Sequence, residues 1–412
     1  MEKFKTYRCS LCGKVYQPHE ATYTCPADGG NLDILLDYQG IKKAFSPEKI
    51  AASTEQSIWR YLPLLPVDDP GLQGTPLRSV GWTPVYQPKA LAEELRLEQL
   101  WLKDDGRNPT ASFKDRASSV VIARAREVQA DVVVTSSSGN AGAALAGMAA
   151  AARQKTVIFV PKAAPQAKVA QLIVFGARVF LVDGTYDDAF ELSLKAADEF
   201  GWYSRNTGFN PFTAEGKKTA AFEIWEQVIY KGNLKKPLNV IVPVGDGNII
   251  AGIHKGFKDL VELGWLEHMP HIYGIQPEGS AAIANAFNAG TEEIIPVKAD
   301  TLADSVSVDH PHDGLRALRA ATQTGGRYIT ISDQHILAAI ARLGREGIFI
   351  EPAAATAYAG LEAAVRQGLF DVSDPVLVML TGNGLKDVKA AIQAVQPAPI
   401  VEPTLEALKK LL

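Results

Sequence analysis

From about residue 130 the chain repeats one pattern: a short, almost unbroken apolar run, then an alanine-rich stretch. Asp131-Val-Val-Val-Thr, Thr156-Val-Ile-Phe-Val-Pro and Arg178-Val-Phe-Leu-Val-Asp are separated by the stretches 141–152 and 167–175. A strand that is apolar on both faces must be covered on both, and a helix between two strands returns the chain to begin the next one in parallel. A second set follows, in Leu238-Asn-Val-Ile-Val-Pro, His271-Ile-Tyr-Gly-Ile-Gln and Pro375-Val-Leu-Val-Met-Leu. The pattern predicts an α/β fold of two open, twisted, mostly parallel sheet domains, one inserted into the other, with a cleft between them. Its boundaries read as a ribbon-like β appendage over 1–40, a large α/β domain built from 41–128 and 213–412, and a small α/β domain over 129–212.

With 412 residues, 47% hydrophobic and 21% charged, the chain is long enough for two such cores. A net charge of −4 provides no basic footprint for nucleic acid or an anionic membrane. No apolar run approaches the ~20 residues of a membrane span, and Met1-Glu-Lys-Phe-Lys5 lacks an apolar signal core. The expectations are a small-molecule substrate, no nucleic-acid or membrane partner, and a cytoplasmic location. Tyr61-Leu-Pro-Leu-Leu-Pro and Gly81-Trp-Thr-Pro-Val read as extended arms, since proline lacks a donor and restricts the residue before it.

All three cysteines lie near the start, in Cys9-Ser-Leu-Cys12 and Cys25-Pro-Ala-Asp28. Two C-x-x-C knuckles would supply four thiolates for zinc, but here Asp28 takes the fourth place, with His19 between the knuckles. Aspartate can ligate zinc. The reading nevertheless favours a ribbon that keeps its turns without a filled site, so no metal ligand is assigned.

Ligands of open α/β sheets bind beyond the carboxyl ends of the strands, and three loops there carry chemistry. Ser137-Ser138-Gly-Asn140 opens the first alanine-rich helix, and Pro243-Val244-Gly245-Asp246-Gly247-Asn248 opens another. Small residues at a helix start let main-chain amides reach an anion, with the side chain of Asp246 expected to turn away. The third loop, Thr381-Gly-Asn-Gly-Leu-Lys386, offers one hydroxyl among glycines. Upstream, Asn108-Pro-Thr-Ala-Ser-Phe-Lys114-Asp-Arg116 sets a lysine at the first turn of a helix, where the dipole disfavours a cation. A lysine beside a phosphate cradle suits pyridoxal phosphate, because a Schiff base with the aldehyde removes that charge. His310 and His312, in a Pro-Gly loop, read as surface residues rather than metal ligands.

The stretches N-P-T-x-S-F-K-D-R at 108–116, S-S-G-N at 137–140, P-V-G-D-G-N at 243–248 and T-G-N-G-L-K-D at 381–387 resemble the threonine synthase family of fold type II pyridoxal phosphate enzymes. The resemblance spans almost the whole chain. It implies that Lys114 holds the cofactor and moves protons, and that Asn140 bonds the cofactor's 3′ oxygen. Val244, Gly245, Asp246, Gly247 and Asn248 would cradle its phosphate, Thr381 would meet its pyridine nitrogen, and Ser137 and Ser138 would hold the substrate carboxylate. The implied reaction, by a carbon-oxygen lyase, turns O-phospho-L-homoserine and water into L-threonine and phosphate; the implied assembly is a homodimer. Another pyridoxal phosphate lyase, such as a serine or threonine dehydratase, stays open as the alternative. One departure bears on the substrate. Many family members carry N-P-x-R-x-E-G-x-K, whose arginine helps hold the substrate phosphate, whereas this chain has Thr213 there. Lys217, Lys218 and Arg116 are the candidate replacements.

Overall fold

In the computed structural model, which describes residues 4–412, the chain begins with a small antiparallel sheet. Strands β1 (Thr6–Cys9), β2 (Val15–Tyr16) and β3 (Leu32–Leu35) lie in the order β2-β1-β3, with Tyr7 opposite Tyr16 on one side and Ile34 on the other. In β3, Leu32 and Ile34 are buried while Asp33 and Leu35 are only partly so, the alternation of a sheet with one covered face.

Next come β4 (Val85–Tyr86) and β5 (Leu100–Asp104). A four-stranded sheet follows, built from β6 (Val132–Ser136), β7 (Lys155–Pro161), β8 (Arg178–Val182) and β9 (Tyr203–Ser204) in the order β8-β7-β6-β9, all parallel. The remaining strands are β10 (Asn239–Pro243), β11 (His271–Pro277), β12 (Tyr328–Ile331) and β13 (Val376–Leu380). They join β5 and β4 in a six-stranded sheet ordered β12-β11-β10-β13-β5-β4, parallel except at the β4–β5 edge. This is the open α/β architecture that the alternating pattern predicts.

The central strands are apolar throughout because both faces are covered. Val240, Val242, Leu377 and Met379 pack to one side, in a cluster with Ile250, Ile253 and Phe257 of the helix Asn248–Glu262. Ile241, Val378 and Leu380 pack to the other, with the alanine-rich helix Pro352–Arg366. The apolar-run pattern leaves out β5, which reads Leu-Trp-Leu-Lys-Asp. Its Lys103 is wholly buried and ion-paired to Glu223 at 2.7 Å, so a charge sits where a central strand is expected to be apolar. Among the described residues, no helix is long and apolar enough to cross a membrane.

The arm expected to be extended at 61–66 instead belongs to a 3₁₀ helix over Ile58–Leu64. The backbone breaks at Tyr61 (φ −95°, ψ 18°), which accommodates Pro63, and burial of Trp59, Tyr61 and Leu64 holds the segment down. The Tyr61 hydroxyl donates to Glu226 Oε2 at 2.7 Å.

Candidate active site

A cavity of about 590 Å³ lies beyond the carboxyl ends of β6, β10 and β13. Of the side chains expected from the sequence, the structure brings together Lys114, Ser137, Ser138, Asn140, the whole turn Val244–Asn248, Thr381 and Lys217 around it. Arg116 and Lys218 are not among its walls.

Lys114 is the first residue of the helix Lys114–Glu127. The turn before it is clamped to the loop after β13: Phe113 N donates to Thr381 O at 2.9 Å, and Asn383 N donates to Ala111 O at 3.1 Å. Asp115 folds back to accept from Thr110 N at 2.6 Å and from the Thr110 hydroxyl. The Lys114 amine has no hydrogen-bond or ion-pair partner among the described residues. Burial pushes its pKa down to about 8, with the charge of Arg205 adding and those of Glu351 and Asp246 opposing.

The turn 244–248 ends β10 and opens the 15-residue helix Asn248–Glu262. Gly247 has φ +95°, and a Cβ there would meet Ala317 Cβ and Asp313 O at 2.7 Å, so only glycine lets the turn close. The N–H groups of Gly245, Asp246 and Gly247 donate to nothing among the described residues. The carboxylate of Asp246 is turned toward the 310–313 loop, where Oδ1 accepts from His312 N at 2.8 Å. Three consecutive free amides at a helix start form a ready anion seat. His312 stacks its ring on Phe190 at 4.8 Å, and among the described residues no metal-binding group includes it or His310.

Two side chains with no sequence signal complete the electrostatics. Glu351, directly before the helix Pro352–Arg366, lies in the cavity wall, and both its oxygens accept from Asn140 Nδ2 at 2.9 Å. Burial raises its pKa, against the lowering effects of Asn140 and Lys114. From the sequence it reads only as a helix cap. Arg205, just past β9, is wholly buried without an ion pair among the described residues. Its Nη1 donates at 2.5 Å to the hydroxyl of Thr207, a cavity-wall residue, and its Nη2 has no partner. Burial lowers its pKa to about 10, and Tyr186, Asp246 and Asp115 do not offset that. Lys217 is equally buried, donating to Asn248 Oδ1; burial, then Lys114 and Arg205, hold its pKa well below the usual range.

Arg116 and Lys218 leave the substrate-binding set. Arg116 is sealed between Asp105 at 2.6 Å and Glu223 at 2.5 Å, which occupy its guanidinium. Lys218 is enclosed with Glu215 and with Asp259, 2.8 Å away. A helix turns about 100° per residue, so Lys217 and Lys218 face different surroundings although they are adjacent.

The residues present fit pyridoxal phosphate. An unpartnered, partly deprotonated lysine faces the cavity, a free amide turn suits the phosphate, and the Thr381 hydroxyl, also without a partner among the described residues, can meet a ring nitrogen.

Residues 77–382 match the family described as pyridoxal-phosphate dependent enzyme. The threonine synthase of Methanocaldococcus jannaschii is 38% identical over 408 residues, covering 98% of this chain and 98% of that protein. The threonine synthase of Methanosarcina acetivorans is 35% identical over 406 residues, 98% of this chain and 97% of the other. Among solved structures, the processed form of threonine deaminase isoform 2 from Solanum lycopersicum superposes with a TM-score of 0.67 at 22% identity, over 82% of this chain and 88% of that one, a likeness of fold. With its length matched almost end to end, the chain belongs to the threonine synthase family of pyridoxal-phosphate dependent enzymes.

Proposed function

We propose that this enzyme converts O-phospho-L-homoserine and water to L-threonine and inorganic phosphate. One observation carries the choice of substrate. Besides the amide turn at 244–248, the cavity is backed by two buried basic side chains, Lys217 and Arg205, with no carboxylate paired to either among the described residues. A buried charge without a counter-ion is costly, which is why burial lowers both pKa values, and an anion that arrives with the substrate would favour their protonated forms and bind to them. A substrate carrying its own phosphate meets that need; serine or threonine does not.

Bound pyridoxal phosphate would spread the negative charge that develops on the substrate when its Cα proton leaves. The chain's residues do the rest. The Lys114 amine, neutral in good part near pH 8, takes that proton at Nζ and moves protons in the later steps. The free N–H groups of Ser137 and Ser138 face the cavity to receive the substrate carboxylate. Lys217 and Arg205 hold the substrate phosphate in place of the family arginine that Thr213 lacks. Asn140, oriented by Glu351, would offer its amide to the cofactor's 3′ oxygen. The Thr381 hydroxyl would give the ring nitrogen a neutral partner. The same reading makes the protein a cytoplasmic homodimer, on the family resemblance alone.

The test is to supply the purified holoenzyme with O-phospho-L-homoserine and quantify phosphate and threonine together. Equimolar release is expected. Ammonia released from serine or threonine, with phosphohomoserine left intact, would replace this reading with a dehydratase.

A further inference from the structure

The two cysteine knuckles of the ribbon have the same backbone. In the first, Gly13 follows Cys9-Ser-Leu-Cys12 with φ +72° and donates its N–H to Cys9 O at 3.1 Å; in the second, Gly29 follows Cys25-Pro-Ala-Asp28 with φ +72° and donates to Cys25 O at 2.9 Å. Asp28 therefore stands in the second knuckle where Cys12 stands in the first. The two turns face each other, and one ligand atom from each of Cys9, Cys12, Cys25 and Asp28 lies within 4.8 Å of all the others.

Two of the separations come close to the edges of a metal tetrahedron. With Zn–S of about 2.3 Å and Zn–O of about 2.1 Å, tetrahedral edges come to about 3.8 Å between sulfurs and about 3.6 Å between sulfur and oxygen. Cys12 Sγ and Cys25 Sγ are 3.8 Å apart, and Cys9 Sγ lies 3.3 and 3.6 Å from the two Asp28 oxygens. The ligands are also held from behind. Leu11 N donates to Cys9 Sγ at 3.3 Å, Gly30 N donates to Asp28 Oδ1 at 2.8 Å, and the Tyr16 hydroxyl lies 3.2 Å from Cys25 Sγ. Strands of four, two and four residues make a small sheet whose covered face packs into the core of the body, and a metal between the knuckles would fasten its turns.

We propose that Cys9, Cys12, Cys25 and Asp28 bind one zinc ion as a closed structural site. Three thiolates select a soft divalent cation over magnesium or calcium, and four protein ligands leave no open position for chemistry. The ion cross-links the knuckles and presents the ribbon to the body. From those turns Asn31 Nδ2 donates to Gly208 O at 2.6 Å, and Ser10 O accepts from Arg319 Nη1 at 2.6 Å.

Metal analysis of the full-length holoenzyme, purified without chelator, is expected to find one zinc per chain. Asp28→Cys should keep a full equivalent, and Cys12→Ser should lose it while retaining the cofactor's visible absorbance. Cobalt in place of zinc should produce a thiolate charge-transfer band. If a variant fails to fold, the wild type still decides the matter, since three cysteines should become reactive toward a thiol reagent only when a chelator removes the metal. A folded, cofactor-bound wild type that holds no zinc and takes up none when zinc is added overturns the proposal. So does zinc retained in full by a folded Cys9→Ser, Cys12→Ser double variant.

Discussion

Adjacent lysines with opposite fates show how burial sorts side chains. Lys217 is enclosed near Lys114 and Arg205 with only an amide oxygen to receive its protons, whereas Lys218 is enclosed by Glu215 and Asp259. Lys217→Met should raise KM for phosphohomoserine about tenfold, roughly 1.4 kcal/mol of binding, with the cofactor absorbance unchanged. Lys218→Met should leave KM alone and lower thermal stability, because it leaves Lys255 as the cation shared by the buried carboxylates of Glu215 and Asp259; breaking a buried pair outright costs about 3–5 kcal/mol, and this partial loss costs less. Steady-state kinetics and melting curves on both variants check this, and a KM effect at Lys218 alone would contradict it. The lysine motif sorts in the same way. In N-P-T-x-S-F-K-D-R only Lys114 lines the cavity; Asp115 closes the turn through Thr110, and Arg116 ties the helix to Asp105 and Glu223.

Strand β3 reaches the anion turn through a relay of charge. Asp33 on β3 accepts from Arg316 Nη1 at 2.8 Å. The other arms of Arg316 hold both oxygens of Asp313 at 2.6 and 2.7 Å, and Asp313 Oδ2 accepts from Asn248 Nδ2 at 2.5 Å. Read as sequence, the ribbon is an appendage, since every expected cofactor ligand lies beyond residue 100; in the fold it buttresses one of them. Arg316→Met would leave Asp313 buried without its cation, the costly way to break an ion pair. It should both destabilise the protein by about 3 kcal/mol and weaken cofactor affinity, because Asp313, which accepts from Asn248, loses the cation that holds it in place. Titration of the apoenzyme with pyridoxal phosphate, alongside urea unfolding, measures the two effects. Destabilisation with unchanged cofactor affinity would show that the relay ends short of the turn.

Acid stability belongs to the whole molecule. His254, on the helix Asn248–Glu262, is 4% exposed, and burial, then Lys258, pushes its pKa down to about 3, against the attraction of Asp33. Below its unfolded value near 6.5 the unfolded chain takes up a proton that the folded chain refuses. The contribution is therefore complete above about pH 6.5 and is lost as pH falls toward 3; by pH 5 the loss amounts to about 2 kcal/mol. Urea midpoints at pH 7 and pH 5 should differ less in His254→Asn than in the wild type, and an equal drop in both would refute the assignment. What the sequence determined by itself was whatever rests on local chemistry. Apolar runs set the central strands β6, β7, β10, β11 and β13, glycines set the turns after them, and a lysine at a helix start marked the amine that lines the cavity. Only the tertiary structure decided which charges are spent on each other. Lys103, Arg116 and Lys218 find carboxylates across the fold, Arg205 and Lys217 do not, and Glu351 meets Asn140 from 211 residues away. The cost of burying a charge depends on what else is brought to the same place, and residues far apart in the chain meet only when the sheets pack.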